Sequence, residues 1–469
     1  MSFDLIIIGA GFAGLTVGIR AAELGLHPLI LEAGEEENYQ CNSRYSTGSC
    51  HVAFNTPWTN PRDLTNTIIN NAGGSARTDL AVSIGQNARR AIDWLKVQGA
   101  SFEDHPRRTD HMPMLSPLRE MRAGLDWETG GANLLLKKMA SKLVKNGGEI
   151  RLGTRAEKLY FENGKIFGLK AKNKGVHHDL LARSIVIADG GFQSNPKLVE
   201  KYIGCSITKL QQRNAGTGVG DGLRMAIEAG ANITGMDCFY GHVLSRDAMT
   251  NEKLWPYPQV DVICSTSIVV NASGKRFSDE GLGGIYLANS IARIDDPLST
   301  TAIFDSDVWE EAKTTDNVPP NPSLPDAGGT VLRASTIQGL AKKVDLDARQ
   351  LATTITSYNK FLFQKEAFLL PPRTQTRYSA RPIIKPPFYA IPLCAGITVT
   401  SGGISVNGKG EVINNNGRPI PGLYAAGSTV GGIEGGPSAS YVGGLIKSFC
   451  IGLLAAESIA NYHGSSAFV

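Results

Sequence analysis

The 469-residue sequence predicts an α/β fold in which a Rossmann-like dinucleotide-binding domain is assembled from both ends of the chain and an α+β domain is inserted between them. Three observations predict it: a glycine turn between apolar runs at the start, a second apolar run and glycine turn near the finish, and a middle section where strand–helix alternation breaks down. A chain this long exceeds what one core usually covers, which agrees with two interleaved domains.

The opening "DLIIIGAGFAGLTVGIRAAELGLHPLILEAG" reads as strand, turn, helix, strand. Residues 5–8 are the continuous apolar run of a strand covered on both faces. Gly9, Gly11 and Gly14 form GxGxxG. Gly9 allows the tight turn, Gly11 lets a pyrophosphate approach the helix that begins with Phe12 and Ala13, and Gly14 brings helix and strand together. Glu32, followed by Ala33, ends the second strand, where a carboxylate accepts from ribose hydroxyls.

Further along, "NSRYSTGSCHVAF" (residues 42–54) supplies the small and hydroxyl residues, among them Ser43, Ser46, Thr47 and Gly48, that suit wrapping a cofactor. "RSIVIADGGF" is another buried strand, ending at Asp189 and Gly190, and "GRPIPGLYAAGSTVGG" places a strand and a glycine turn with Gly427 and Ser428 close to the far end. Such returns make sense for a ligand too long for one βαβ unit. "GTGVGDG" (residues 216–222) follows no strong strand and opens no acidic-ended unit, so a second nucleotide fold and an NADPH site are not expected.

From residue 229 to 373 the βαβ grammar is lost. "NVPPNPSLPDAGG" is too Pro-rich for sheet or helix, and "STIQGLAKKVDLDARQLATTITSYNKFL" gives two amphipathic helices that bury Leu340, Leu351 and Tyr358. Residues 1–228 and 374–469 are therefore assigned to the cofactor domain and 229–373 to the cap, with the site expected in the cleft between them.

Composition narrows the function classes. The 53 glycines cluster, which suggests backbone running close against a ligand. A net charge of +4 without basic blocks argues against nucleic-acid and membrane partners. The seven cysteines contain no CxxC pair, and acids and histidines do not cluster, so neither a disulfide framework nor a metal site is expected; a reducing, cytoplasmic location is. No stretch is expected to cross a bilayer, because the apolar C-terminal segment carries Lys447 and Glu457.

"IIIGAGFAGL", "CNSRYSTGS", "IVIADGGF", "GTGVGDGLRMAIEAGA", "VNASGKRFSDE", "PPFYAIPLCAGITVTSGG" and "PIPGLYAAGS", in this order over nearly the whole chain, resemble the flavoprotein family of fumarate reductase and succinate dehydrogenase, most of all its tricarballylate-dehydrogenase-like branch. The resemblance implies FAD, a Rossmann-like FAD-binding domain with an inserted capping domain, and electron transfer at a carbon–carbon bond beside a carboxylate or carbonyl. It implies Glu32 on the adenosine ribose, Ser46, Thr47 and Gly48 along the pyrophosphate and flavin edge, and Gly427 with Ser428 at the ribityl chain. It also directs the N-terminus of the last helix, around Gly443, Gly444 and Leu445, at the flavin pyrimidine ring. Where membrane-bound members carry a histidine joined to flavin the nearest residue here is Arg44, so the FAD is expected to be non-covalent; His51 is a lone histidine in the same loop.

Three dicarboxylate-handling positions depart from the family pattern. The proton-delivering arginine after RFxxE aligns with Gly284, the histidine before TxGG is Val399, and the arginine after the last glycine loop is Tyr441. Fumarate reduction is therefore not expected. Tyr441 is read as the principal proton carrier, lowered toward a useful pKa by the adjoining helix N-terminus, with Tyr286 assisting. A tyrosine in this setting is similar to those of 3-ketosteroid dehydrogenases, which makes a neutral ketone or lactone credible. His242 and Arg246 in "FYGHVLSRD" enter the cap where substrate should lie, and Thr398, Thr400 and Gly402 in "ITVTSGG" resemble a substrate-facing strand. Arg276 and Glu280 are read as structural. The activity expected is an FAD-dependent dehydrogenase or reductase acting on a CH–CH or C=C bond beside a carbonyl of a small organic or steroid-like substrate, with an electron acceptor that the sequence leaves open. The alternatives are a tricarballylate-like polycarboxylate dehydrogenase and a redox-neutral isomerase or hydratase.

Overall fold

In the computed structural model, which describes residues 3–104, 112–120, 122–315, 317–364, 368–376 and 378–465, the strand Phe3–Ile8 lies near the centre of the main sheet. Its apolar side chains are covered on both faces, as a parallel strand flanked by helices requires. It pairs in parallel with Pro28–Leu31 on one side and Val176–Ile187 on the other. Glu149–Arg151 extends the sheet beyond Pro28–Leu31, and Pro419–Ala425 runs parallel beside Val176–Ile187, with Glu411–Ile413 antiparallel at that edge. Strands from both ends of the chain thus share one sheet, and the helices Phe12–Glu23 and Gly444–Ser465 pack together on it, with the Phe12 and Phe449 rings 5.2 Å apart.

The second large sheet is organised around the strand Phe388–Thr400. It pairs antiparallel with Phe239–Ser245, Thr301–Phe304 and Leu332–Ala334, and parallel with Leu210–Gln212; Ile268–Val270 joins through Thr301–Phe304. This sheet crosses the boundaries expected at 229 and 373, since Phe388–Thr400 and Leu210–Gln212 both fall in residues assigned to the cofactor domain. A buried strand reads as an apolar run in either domain, and only its hydrogen-bond partner says which sheet it joins. The two amphipathic helices form as Ile337–Lys343 and Ala348–Gln364 and bury Leu340, Leu351 and Tyr358. The Pro-rich segment, expected to be irregular, instead contains the short helix Pro320–Asp326, kinked at Asn321. Proline is tolerated in a first turn, where its missing N–H has no partner to lose.

The C-terminal helix runs from Gly444 to Ser465. Residues 444–464 reach the length and apolarity of a membrane span, but most of that surface is buried inside the fold. The two charges that argued against a span are both neutralised: Lys447 by Glu434, each 1% exposed, and Glu457 by Arg20 at 2.9 Å and by Arg90.

Candidate active site

A cleft of about 600 Å³ runs over the first glycine turn. Gly9 has φ +99°, and a Cβ there would stand 2.7 Å from the Ala188 carbonyl oxygen, so the turn accepts no side chain. The Glu32 carboxylate accepts from the N–H groups of Ala10 (2.9 Å) and Gly34 (2.8 Å), which fixes its direction; burial nevertheless raises its pKa. The Ser43 hydroxyl accepts from the Phe12 N–H at 2.9 Å and ties the Asn42–Tyr45 turn to the helix N-terminus. Gly9, Gly11, Phe12, Ala13, Glu32, Ala33, Ser43, Asp189, Gly190, Gly427 and Ser428 all line this cleft. Gly14 does not: it packs helix on strand, its notional Cβ 2.0 Å from the Gly9 oxygen.

Residues 216–219 line the cleft too, which the sequence reading missed. These glycines open no separate nucleotide unit and instead close the far wall of the first one. Asp189 accepts from the Gly222 N–H at 2.6 Å, and its other oxygen is buried without a partner. Burial pushes this carboxyl up to about 7. An orphaned acceptor in the wall of a long polar cleft suits a ligand rich in hydroxyl groups.

A second cavity, of about 900 Å³, meets the first at Asn42, Ser43, Val399, Ser428 and Ser448. Ser46, Thr47, Gly444 and Leu445 line it, while Gly48 and Gly443 support the lining by close packing on Leu115 and on the His51 carbonyl oxygen. His51 also lines the cavity, with its Nδ1 accepting from the Phe54 N–H at 3.1 Å. Arg44 turns inward instead, its Nε donating to the Tyr39 carbonyl at 2.9 Å and its guanidinium bonded to Asn133.

The cavity wall carries four groups in series. The Tyr441 ring stacks on Tyr240, centroids 3.7 Å apart and planes within 13°. The Tyr240 hydroxyl is 2.9 Å from His242 Nε2, and His242 Nδ1 is 2.5 Å from the Asp261 carboxylate, which also accepts from the Val243 N–H at 2.7 Å. That carboxylate fixes the Nδ1–H tautomer, so Nε2 accepts from Tyr240. Burial lowers the His242 pKa and keeps the ring neutral, and burial pushes Tyr240 up to about 12. The Tyr441 hydroxyl accepts from the Gly444 N–H at 2.7 Å, at the start of the C-terminal helix. Burial outweighs that contact and holds the Tyr441 phenol well above its ordinary pKa, with the neighbouring Tyr240 and Glu434 adding to the rise. This corrects the expectation of a lowered pKa: removal from water costs the phenolate more than one helix end returns.

Four other expected site residues lie outside the cavity. Tyr286 does not line it, although its neighbours Gly284 and Ile285 do. Arg246 is exposed and donates to the Leu298 carbonyl at 2.7 Å. Thr400 is fully buried, its hydroxyl accepting from the Phe192 N–H at 3.2 Å, and Gly402 packs on Gly235. These assignments followed sequence neighbourhood, and alternation along a strand or rotation around a helix turns adjacent residues away. Thr398 does line the cavity, where its hydroxyl accepts from Arg213 Nη1 at 2.8 Å. Arg276 and Glu280 form a buried ion pair, and Glu280 also accepts from the Val269 N–H at 3.1 Å, in keeping with a structural role.

Tyr240, Asp261, Arg119, Arg213 and Tyr257 are cavity residues that the sequence reading missed. Tyr240 was within reach of it, because "YGH" at a period of two puts Tyr240 and His242 on one face of a strand. The others come from distant segments and carry no local signal.

The residues fit a dinucleotide held along the first cleft with its reactive end in the second cavity, and the comparison with known families decides which one. Residues 4–439 match the family model described as FAD binding domain. The chain belongs to this FAD-binding family. It is 29% identical to an NADH:acrylate oxidoreductase of Vibrio harveyi over 82% of its length, and it spans only 37% of that relative. It is 26% identical to a fumarate reductase (cytochrome) of Shewanella frigidimarina, covering 98% of this chain and 77% of the relative. Among solved structures, 3-ketosteroid-Δ4-(5α)-dehydrogenase from Rhodococcus jostii RHA1 shares the fold with a TM-score of 0.74 at 22% identity, over 98% of this chain and 97% of that one.

Proposed function

We propose that the chain is an FAD-dependent oxidoreductase that moves a hydride and a proton to or from a carbon–carbon bond conjugated with an electron-withdrawing group in a small organic substrate. The observation that carries this reading is the Tyr441–Tyr240–His242–Asp261 series in a cavity continuous with the nucleotide cleft. Relatives named for reduction of acrylate and fumarate support it. FAD, held without a covalent link, supplies or takes the hydride.

Tyr240 carries the proton. In the direction of dehydrogenation its oxygen takes a proton from the substrate carbon while its own proton passes to His242 Nε2, and the Asp261 carboxylate stabilises the resulting imidazolium. In reduction the imidazolium reprotonates Tyr240 as Tyr240 protonates the carbon. Tyr441, read from sequence as the carrier, has the other task. Its oxygen already accepts from the Gly444 N–H, so its proton is available to donate to the negative charge that develops on the activating group.

The test is anaerobic. Holoprotein with photoreduced flavin is mixed with a panel of unsaturated acids, lactones, enones and steroid enones, and oxidised holoprotein with their saturated counterparts and tricarballylate-type acids. At least one compound is expected to reoxidise or bleach the flavin. Tyr240→Phe is expected to keep its bound FAD and lose about 100- to 10,000-fold in rate, the usual contribution of a positioned acid or base. A flavin inert to the whole panel would sink the reading.

A further inference from the structure

We infer that Arg119 and Arg213 form a clamp for a single carboxylate on a planar substrate; the inference rests on the proposed function only for where the reacting bond lies. The two arginines come from segments distant in sequence, Arg119 from the stretch after strand Pro113–Leu115 and Arg213 from the end of strand Leu210–Gln212. Both guanidiniums converge on the Tyr257 ring, at 5.6 and 5.7 Å from its centroid, and both line the larger cavity. Among the described residues neither makes an ion pair. Arg119 is 3% exposed, donates from Nη2 to the Gly124 carbonyl at 3.1 Å, and has a buried Nε without a partner among the described residues. Arg213 donates from Nε to the Pro256 carbonyl at 3.3 Å and from Nη1 to Thr398. With five N–H donors on each guanidinium, most of this fork geometry is left for something that enters the cavity.

Two like charges held together away from water are costly, and burial and Arg213 both depress the Arg119 pKa. Asp261, the one carboxylate among the described residues of the cavity lining, is already engaged by His242 and the Val243 N–H. Among these described residues, two guanidiniums and one carboxylate leave one positive charge to neutralise, which matches a monoanion. Bidentate recognition of a carboxylate is what two guanidinium forks do well. Stacked Tyr240 and Tyr441, together with Trp255 and Tyr257, put aromatic faces in the cavity lining, which suits a flat body. A neutral ketone or lactone, which the sequence made credible, would leave that positive charge uncompensated.

Titration of oxidised holoprotein with benzoate and with neutral benzamide, followed by the flavin absorbance difference spectrum, tests the clamp without any electron transfer. Benzoate is expected to bind at least about tenfold more tightly than benzamide, and Arg213→Gln and Arg119→Gln each to weaken benzoate about tenfold or more while leaving benzamide and FAD retention unchanged, as loss of a hydrogen bond to a charged group predicts. If the buried Arg119 variant fails to fold, the half-buried Arg213 decides alone. Equal affinity for the two probes, no binding of benzoate, or benzoate affinity unchanged in Arg213→Gln would overturn the clamp. Reoxidation of reduced flavin by enones but not by unsaturated acids would also overturn it, while leaving the hydride-transfer reading intact.

Discussion

Gly284 shows how one residue redirects the chemistry of the cavity. A Cβ at this position would lie 2.0 Å from Asp261 Cγ, so the space of a side chain is occupied by the carboxylate that holds His242. Gly284→Ala is therefore expected to displace Asp261 and to lower flavin reoxidation by substrate about tenfold or more while FAD stays bound, since misplacing a catalytic group by about 1 Å is that costly. His242 sets the pH profile. Burial lowers its pKa, so in dehydrogenation, where the neutral ring takes the Tyr240 proton, the rate is expected to persist somewhat below pH 6.5, where an unperturbed histidine would already be charged, and to fail only at lower pH; His242→Asn should remove that acid limb from the single-turnover rate of flavin reduction by substrate. Asp189 acts on stability. Its folded carboxyl keeps a proton to about pH 7 whereas the unfolded chain releases it near about 3.9, so between those values the folded state binds more protons. The stability contributed at low pH is lost as pH rises through that window. The Tm of FAD-free protein should accordingly fall less steeply between pH 4.5 and 7.5 in Asp189→Asn than in the parent.

At the level of elements, the site depends on an irregularity in the cap sheet. Tyr240 pairs with Val399 and Gly241 with Ile397, which leaves Thr398 over as a bulge. The surplus residue turns its carbonyl to the Asn42 amide, at 3.0 Å, and its hydroxyl to Arg213, so one bulge joins the cofactor loop, the arginine clamp and the tyrosine strand. The first glycine turn is equally intolerant of change. Gly9→Ala is expected to abolish FAD retention, read as loss of flavin absorbance on gel filtration, because its Cβ would press on Ala188. In the C-terminal helix, Lys447→Met leaves the Glu434 carboxylate buried without its partner and should cost about 3–5 kcal/mol of stability by denaturant titration.

At the level of the molecule, strands and helices from the two ends of the chain enclose one cleft, so the cofactor is also a clasp. Binding to the folded state alone should raise stability by about 2.7 kcal/mol at an FAD concentration 100 times Kd, seen as a Tm that climbs with added FAD. The cofactor half of the site was legible in the sequence because a phosphate-binding turn is local: Gly9, Gly11, Gly14 and Glu32 lie within one βαβ unit, and their spacing carries their geometry. The family pattern likewise marked Tyr441 and Gly284 as positions where a usual arginine is missing. The catalytic half was not legible, because His242 meets Asp261 across 19 residues and Arg213 meets Arg119 over the ring of Tyr257, from a segment far off in sequence. Sequence by itself determined the FAD-binding family and its glycine turn, since short-range backbone geometry dictates that turn. Which side chains face the substrate, and with what proton affinity, was decided only by tertiary structure, because strand pairing, a single bulge and removal from water set both at once.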